Sequence, residues 1–148
     1  MSKINIEKML TELQELMGDK LQISRDDSFS WLNINSEALL DLMGRLKNDY
    51  GFNYLANLTS VDYGEAFEMV YHLYSIPDNA KVGVKTRITG NAAEVDSLVS
   101  VWSTADWQER EVFDLMGIRF KGHPNMIRIL LPDEFEGHPL RKDFKVER

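Results

Sequence analysis

Apolar residues near the start of the chain recur in a helical rhythm. Ile6, Met9, Leu10, Leu13, Leu16 and Met17 follow the i, i+3, i+4, i+7 spacing, and Gly18 stands just after them. The pattern predicts an amphipathic helix whose polar face is acidic, so its stripe is core-facing rather than membrane-seeking. The rhythm then shortens to two. Leu21-Gln22-Ile23 alternates, residues 25–28 form a polar turn, and Ser30 to Ile34 alternates again around Trp31 and Leu32, which together predict a short hairpin. Ser36 with Glu37 behind it reads as a helix N-cap; Leu39, Leu40, Met43, Leu46 and Tyr50 then share one face until Gly51.

Three strands are predicted next, at residues 54–61, 67–76 and 81–89. In the third, Val82, Val84, Thr86 and Ile88 alternate with Lys81, Gly83, Lys85 and Arg87, giving one buried and one cationic face. Residues 67–76 are apolar or aromatic in both registers, as a strand inside a sheet requires. Gly90-Asn91 turns the chain into a helical stretch carrying Val95, Leu98, Val99 and Trp102, and Ser103 or Thr104 is positioned to cap the helix that follows. The order α-β-β-α-β-β-β-α predicts an α+β fold in two layers, with helices on one face of a mixed or antiparallel sheet and an extended C-terminal arm.

The last helix begins an unusual stretch, WQEREVFDLMGIRFKGHPNMIRILLPDEFEGHPLRKDF, from Trp107 to Phe144. On a helical wheel Arg110, Glu111 and Asp114 fall within roughly 100°, with Val112, Phe113, Leu115 and Met116 opposite. The expectation is one core face and one compact ionic cluster, in which the two carboxylates Glu111 and Asp114 around Arg110 call for a further cation. A solvated charged face is the simpler alternative. Beyond Gly117 no long helical period returns, yet Ile118, Phe120, Met126, Ile127, Ile129, Leu130, Leu131, Phe135, Leu140 and Phe144 are apolar. Pro124, Pro132 and Pro139 bias the residues before them toward extended backbone. Such an arm cannot bury that surface on itself and must lie against something. The division expected is a globular domain at 1–117 and a partner-binding arm at 118–148 that is not an independent domain.

Composition narrows the function. The 148 residues, 43% hydrophobic and 28% charged, fit one domain with a real core. No run approaches the ~18 apolar residues that span a bilayer, and MSKINIEKML lacks the apolar core of a signal peptide. A soluble chain is therefore expected. With no cysteine there are no disulfides and no thiolate ligands for zinc or iron–sulfur clusters. The net charge of −7 is uneven: residues 1–116 hold 10 Lys/Arg against 19 Asp/Glu, or −9, and residues 117–148 hold 7 against 5, or +2. An acidic body with a mildly basic arm argues against nucleic acid, and fits instead an arm steered to an acidic protein groove.

Chemistry is sparse. There is no P-loop, no GxGxxG and no GxSxG elbow, so neither nucleotide binding nor a nucleophilic triad has sequence support. His123 and His138 each precede a proline, fifteen residues apart and without helical i,i+4 spacing. A metal site from both with Asp143 is the weaker reading; imidazoles that fix the arm or donate at an interface are the stronger one. His72, in a strand pattern, is read as structural. The carboxylates of the cluster invite general acid/base work in principle, but a partly buried ionic cluster that receives Arg128, Arg141 or Lys142 accounts for them better.

The residues EREVFDLMGI at 109–118, FKGHP at 120–124 and EGHPLRKDF at 136–144 carry a resemblance to the C-type subunit of proton-pumping NADH-quinone oxidoreductase, respiratory complex I. LTSVDY at 58–63 and VYHLYS at 70–75 also look like that family. One departure is Ile127, where the family pattern would put a basic residue beside Arg128; the chain also ends soon after the block, so no C-terminal extension or fusion to the next subunit is expected. The resemblance implies a non-redox scaffold of the hydrophilic arm, peripheral on the cytoplasmic side of the membrane. It would pack against the D-type subunit and the cluster-carrying subunits, with no cofactor of its own; iron–sulfur clusters, FMN and quinone belong to partner subunits. The interface residues implied are Glu109, Arg110, Glu111 and Asp114, locking the arm, and His123, Arg128, His138, Arg141, Lys142 and Asp143 on it, of which Arg128, His138, Arg141 and Lys142 meet the D-type subunit. Two rivals stand beside this reading: the equivalent subunit of a membrane-bound hydrogenase or other-donor dehydrogenase, and a free-standing small acid/base enzyme.

Overall fold

Asn5 starts the first helix by accepting the Lys8 N–H on its side-chain oxygen at 3.1 Å, and α1 then runs Ile6–Met17. A computed structural model describes residues 5–89, 93–131 and 135–141. Met9, Leu10, Leu13 and Met17 are the buried stripe of α1, whereas Leu16, which also fits the helical spacing, is 56% exposed. A 3₁₀ turn at Gly18–Lys20 leads into the hairpin β1 (Leu21–Arg25) and β2 (Ser30–Ile34). Asp26 closes its turn by accepting the N–H groups of Ser28 and Phe29 and the indole N–H of Trp31. The cap of the next helix is Asn35, not Ser36. Its Oδ1 accepts the Glu37 N–H at 3.1 Å, a 3₁₀ turn (Ser36–Ala38) follows, and α2 spans Leu39–Asn48 with Leu39, Leu42, Met43 and Leu46 buried.

Strands β3 (Tyr54–Asp62), β4 (Ala66–Ser75) and β5 (Ala80–Thr89) form an antiparallel meander, and β2 adds parallel to β5, so the five-stranded order is β1-β2-β5-β4-β3. The sheet is mixed, and β4 lies inside it as its two-sided apolar pattern requires. Leu32, Leu55, Leu58, Met69, Tyr71, Leu73, Val82 and Val84 join the stripes of the helices in a single core. This is the two-layer α+β arrangement. The cationic face of β5 stays exposed at Lys81 and Arg87 and is half-buried at Lys85, with Lys81 4.9 Å from the Phe29 ring centroid and Lys85 4.3 Å from that of Trp31. Trp31 packs closely over Gly83, where an added Cβ would fall 2.2 Å from the indole.

One predicted helix does not form. Val95 lies in a short strand, β6 (Glu94–Asp96), paired in parallel with β7 (Arg119–Lys121) to make a second, two-stranded sheet. Val101 and Trp102 donate to the Leu98 carbonyl, a single turn that puts Val95, Leu98 and Trp102 in the core with helix-like spacing. The stretch is held in this shape because the Leu98 N–H and the Ser97 hydroxyl both donate to Glu109. The final helix, α3, runs Ala105–Met116, starts from Thr104 without a side-chain cap bond, and ends at Gly117 in the left-handed region at φ 75°.

Candidate functional site

At roughly 100° per residue, Ala105, Glu109, Val112 and Met116 fall on one side of α3, and all four are buried against the core. Glu109 therefore belongs to the core face rather than to the ionic arc, a placement the wheel itself contains. It is fully buried, accepting the Ser97 hydroxyl at 2.6 Å and the Leu98 N–H at 2.7 Å. Burial pushes its carboxyl up to about 7, against the opposing pull of those two donors. Asp114 sits on the opposite side of the helix and is equally buried, at 0% exposure. What covers it is the chain after β7.

That chain is wound on α3. His123 reaches the helix N-terminus: its Nε2 lies 2.9 Å from Asp106 Oδ1, while its Nδ1 accepts the Asn125 N–H at 2.9 Å. The accepting Nδ1 leaves the hydrogen on Nε2, whose hydrogen-bond partner is the backbone carbonyl of Asp106 at 3.4 Å, with the carboxylate alongside. Arg110 pairs with the same carboxylate at 3.2 Å, one turn back along the helix, rather than with Asp114. Glu111 accepts the Trp107 indole N–H at 3.0 Å. The expected single ionic cluster is thus three separate arrangements, because the two faces of α3 bury different carboxylates.

The densest arrangement surrounds Asp114. Its Oδ2 accepts the backbone N–H groups of Ile129, Leu130 and Leu131 at 3.2, 2.7 and 3.0 Å, and its Oδ1 accepts Arg128 Nε at 2.6 Å. Burial pushes the Asp114 carboxyl up, but the three N–H groups and Arg128 outweigh it and hold it below the ordinary carboxylate range. Arg128 also donates to the carbonyls of Phe135, Gly137 and Asp114, so one guanidinium ties three parts of the chain together. Two of those bonds use both hydrogens of one terminal nitrogen, which leaves the His138 Nδ1 to donate to the Asp114 carbonyl at 3.0 Å. His138 lies so close to Gly117 that a Cβ there would fall 2.7 Å from its ring, and Leu140 donates its N–H to the Leu115 carbonyl at 2.8 Å.

The structure turns inward two of the cations expected to meet a partner. The Arg128 side chain is 11% exposed, and Arg141 lies 5.1 Å from the Phe67 ring centroid. Lys142 and Asp143 lie outside the described residues. What the wound arm displays instead is apolar: Ile127 is 50% exposed, Leu130 49% and Leu140 60%, with Trp107 of α3 at 52%. His123 and His138 engage carboxylate and carbonyl groups eight residues apart on α3, about 12 Å along its axis, too far for one metal ion. Among the described residues no group of three or more His, Asp or Glu converges as a metal site. Sequence reasoning missed Asp106 and Ser97; an acidic residue in the first turn of a helix was the signal available for the former.

A family model for the respiratory-chain NADH dehydrogenase, 30 Kd subunit, matches residues 32–148. The C-type subunit of NADH-quinone oxidoreductase from Moorella thermoacetica is 47% identical over 144 residues, covering 96% of this chain and 97% of the relative. Its counterpart from Citrifermentans bemidjiense is 41% identical over 119 residues, covering 78% and 74%. Among solved structures, a trypsin-resistant fragment of Nqo5 superposes with a TM-score of 0.73 at 28% identity, over 81% of this chain and 98% of the fragment. A chain of the membrane-bound sulfane sulfur reductase, described as an archaeal respiratory membrane complex, gives 0.80 at 25% identity, over 94% and 85%.

Proposed function

Because the chain belongs to the family of the 30 Kd subunit of respiratory-chain NADH dehydrogenase, we propose that it works as a non-catalytic scaffold of the hydrophilic arm of a proton-translocating NADH-quinone oxidoreductase. It holds no redox centre; iron–sulfur clusters, FMN and quinone sit in neighbouring subunits, and its principal neighbour is the D-type subunit. The observation that carries this reading is the arm. A carboxylate, a guanidinium and an imidazole are spent on fixing a loop that displays Ile127, Leu130 and Leu140 to the outside. A free-standing enzyme has no use for that arrangement, whereas a docking surface requires its shape before its partner arrives, since preorganisation lowers the entropy lost on binding. Glu109, whose carboxyl is pushed toward neutrality, is fully buried and already holds two donors of its own chain, which gives it no path to a substrate.

The chain reaches the membrane through partners, on the cytoplasmic side; no helix among the described residues is long and apolar enough to cross a bilayer. The likeness to the sulfane sulfur reductase chain favours one alternative, the equivalent subunit of a respiratory complex with a different electron donor or acceptor. Purifying the native complex through a tag at the N-terminus tests both. Co-purification of a D-type subunit with iron–sulfur absorbance supports the scaffold, and a flavin or nickel–iron subunit names the donor. A colourless protein without partners after gentle lysis overturns it.

A further inference from the structure

The strand at one end of the sheet, β3, is nine residues long and pairs only with β4 among the described strands. A strand edge presents a row of N–H and C=O groups that template another strand, and proteins ordinarily blunt such edges with lysine, proline, shortness or a cover. The opposite edge, β1, has five residues and ends on Arg25. By contrast residues 57–61 of β3 read Asn-Leu-Thr-Ser-Val, with neither charge nor proline. A register shift between Leu55 and Asn57 separates them from the start of the strand, where the Gln108 side chain already covers the Leu55 carbonyl. Residues 57–61 continue in unbroken register.

The flanks of this edge are built to receive something. On one side Tyr54, Val61 and Tyr63 are 44%, 40% and 45% exposed. On the other, between β3 and α3, lies a groove of about 220 Å³ with Leu58, Val112, Leu115, Met116 and Leu140 in its walls. Ser60, also in its lining, has a buried hydroxyl with no hydrogen-bond partner among the described residues, and a buried hydroxyl is ordinarily paired. Among the described residues the only charged side chain in the lining is Glu111, and no cation faces it there. Leu140 makes the groove continuous with the apolar surface of the arm.

We propose that residues 57–61 and this groove receive an extended segment of a neighbouring subunit as a sixth strand, with an aliphatic side chain seated in the groove and a lysine or arginine beside Glu111. Main-chain bonds to β3 supply the affinity and the groove supplies the selectivity, as in strand addition generally. The inference rests on the scaffold reading above and specifies a second contact besides the arm.

Hydrogen exchange of the assembled complex against the isolated chain tests it. Amides within residues 57–61 are expected to slow about tenfold or more on assembly, in an alternating pattern, while those of β1 do not change. Because the chain contains no cysteine, Asn57→Cys and Thr59→Cys each place a unique thiol on this subunit's exposed edge for a photo-crosslinker. Crosslinks from the two positions to residues about two apart in one partner segment support strand addition. Spacings of three or four, meaning a helix, overturn it. So does unchanged exchange at residues 57–61 in a complex that nonetheless assembles, a result that leaves the scaffold reading intact. Protection already present in the isolated monomer, or crosslinks only to a second copy of this chain, overturn it equally.

Discussion

Replacing Asp114 with asparagine separates the charge that holds the arm from the shape that fills the site. The carboxylate takes three backbone N–H groups on one oxygen and Arg128 on the other. Asparagine has one oxygen and one NH₂, so in either orientation a donor faces a donor. If the oxygen keeps Ile129, Leu130 and Leu131, the Arg128 cation is left buried without its counter-charge; the reverse orientation strands three N–H groups. Breaking a buried pair by neutralising one partner costs about 3–5 kcal/mol. The loss falls on the arm rather than on the sheet, because the groups that turn to Asp114 lie between Arg128 and His138. The expected outcome is a folded core with a released arm: the amides of residues 129–131 exchange about 100-fold faster or more, and trypsin cuts after Arg128. The same release follows acidification. Asp114 is held below its ordinary 3.8, so its contribution is present above that value and is lost as pH falls through the depressed folded value. An Asp114→Asn chain with unchanged protection at 129–131 and no new cut at Arg128 would refute the argument that this one carboxylate fixes the arm.

The other buried carboxylate has the opposite sign. Glu109 is raised from 4.5 to about 7, so the folded state binds its proton more tightly and stability falls as pH rises between those values, by about 3 kcal/mol at ~1.4 kcal/mol per unit. Urea midpoints from pH 5 to pH 8 should decline in the parent chain and stay nearly level in Glu109→Gln; parallel declines would place the titration elsewhere. Gly117→Ala is expected to destabilise by about 1–3 kcal/mol, since it puts a Cβ at φ 75° and 2.7 Å from the His138 ring, and to raise exchange at the Leu140 amide. A normal melting curve with an unmoved Leu140 amide would contradict that close approach. Gly83→Ala meets Trp31 at 2.2 Å and should lift the indole off the sheet, costing about 1–3 kcal/mol and changing the near-ultraviolet circular dichroism, which would stay unaltered if Trp31 does not stack there.

Much of the layer structure was legible because it rests on local periodicity. Most of the stripes of α1 and α2 and the alternation of β5 hold in the structure, since each is set by burial of one face, although Leu16 and Leu40 stay exposed and Leu42 is buried instead. Residues 95–102 misled for a physical reason. Their spacing records which side chains reach the core, and a three-residue strand followed by one turn meets that demand as well as a helix does once Glu109 holds Ser97 and Leu98 from twelve and eleven residues away. The carboxylates of α3 were legible as a group but not in their division. A wheel drawn with one buried side cannot represent a helix buried on both, and what buries the second side is a segment with no period of its own. By sequence Arg128, Arg141 and Lys142 all qualify as cations for the cluster, and only the fold singles out Arg128 for the Asp114 carboxylate, fourteen residues back, with His138 on the Asp114 carbonyl twenty-four residues back. The same reasoning runs forward to function. With Arg128 and His138 engaged on Asp114, the described part of the arm displays mainly apolar side chains, so mutating Arg128 should disturb assembly through the arm's shape, whereas Ile127→Asp or Leu130→Asp should weaken it with the arm amides still protected. Native-complex yield alongside exchange at residues 129–131 separates the two. If Ile127→Asp and Leu130→Asp chains assemble normally while an Arg128→Met chain with an ordered arm does not, the contact is electrostatic after all and the displayed apolar surface is not what the partner meets.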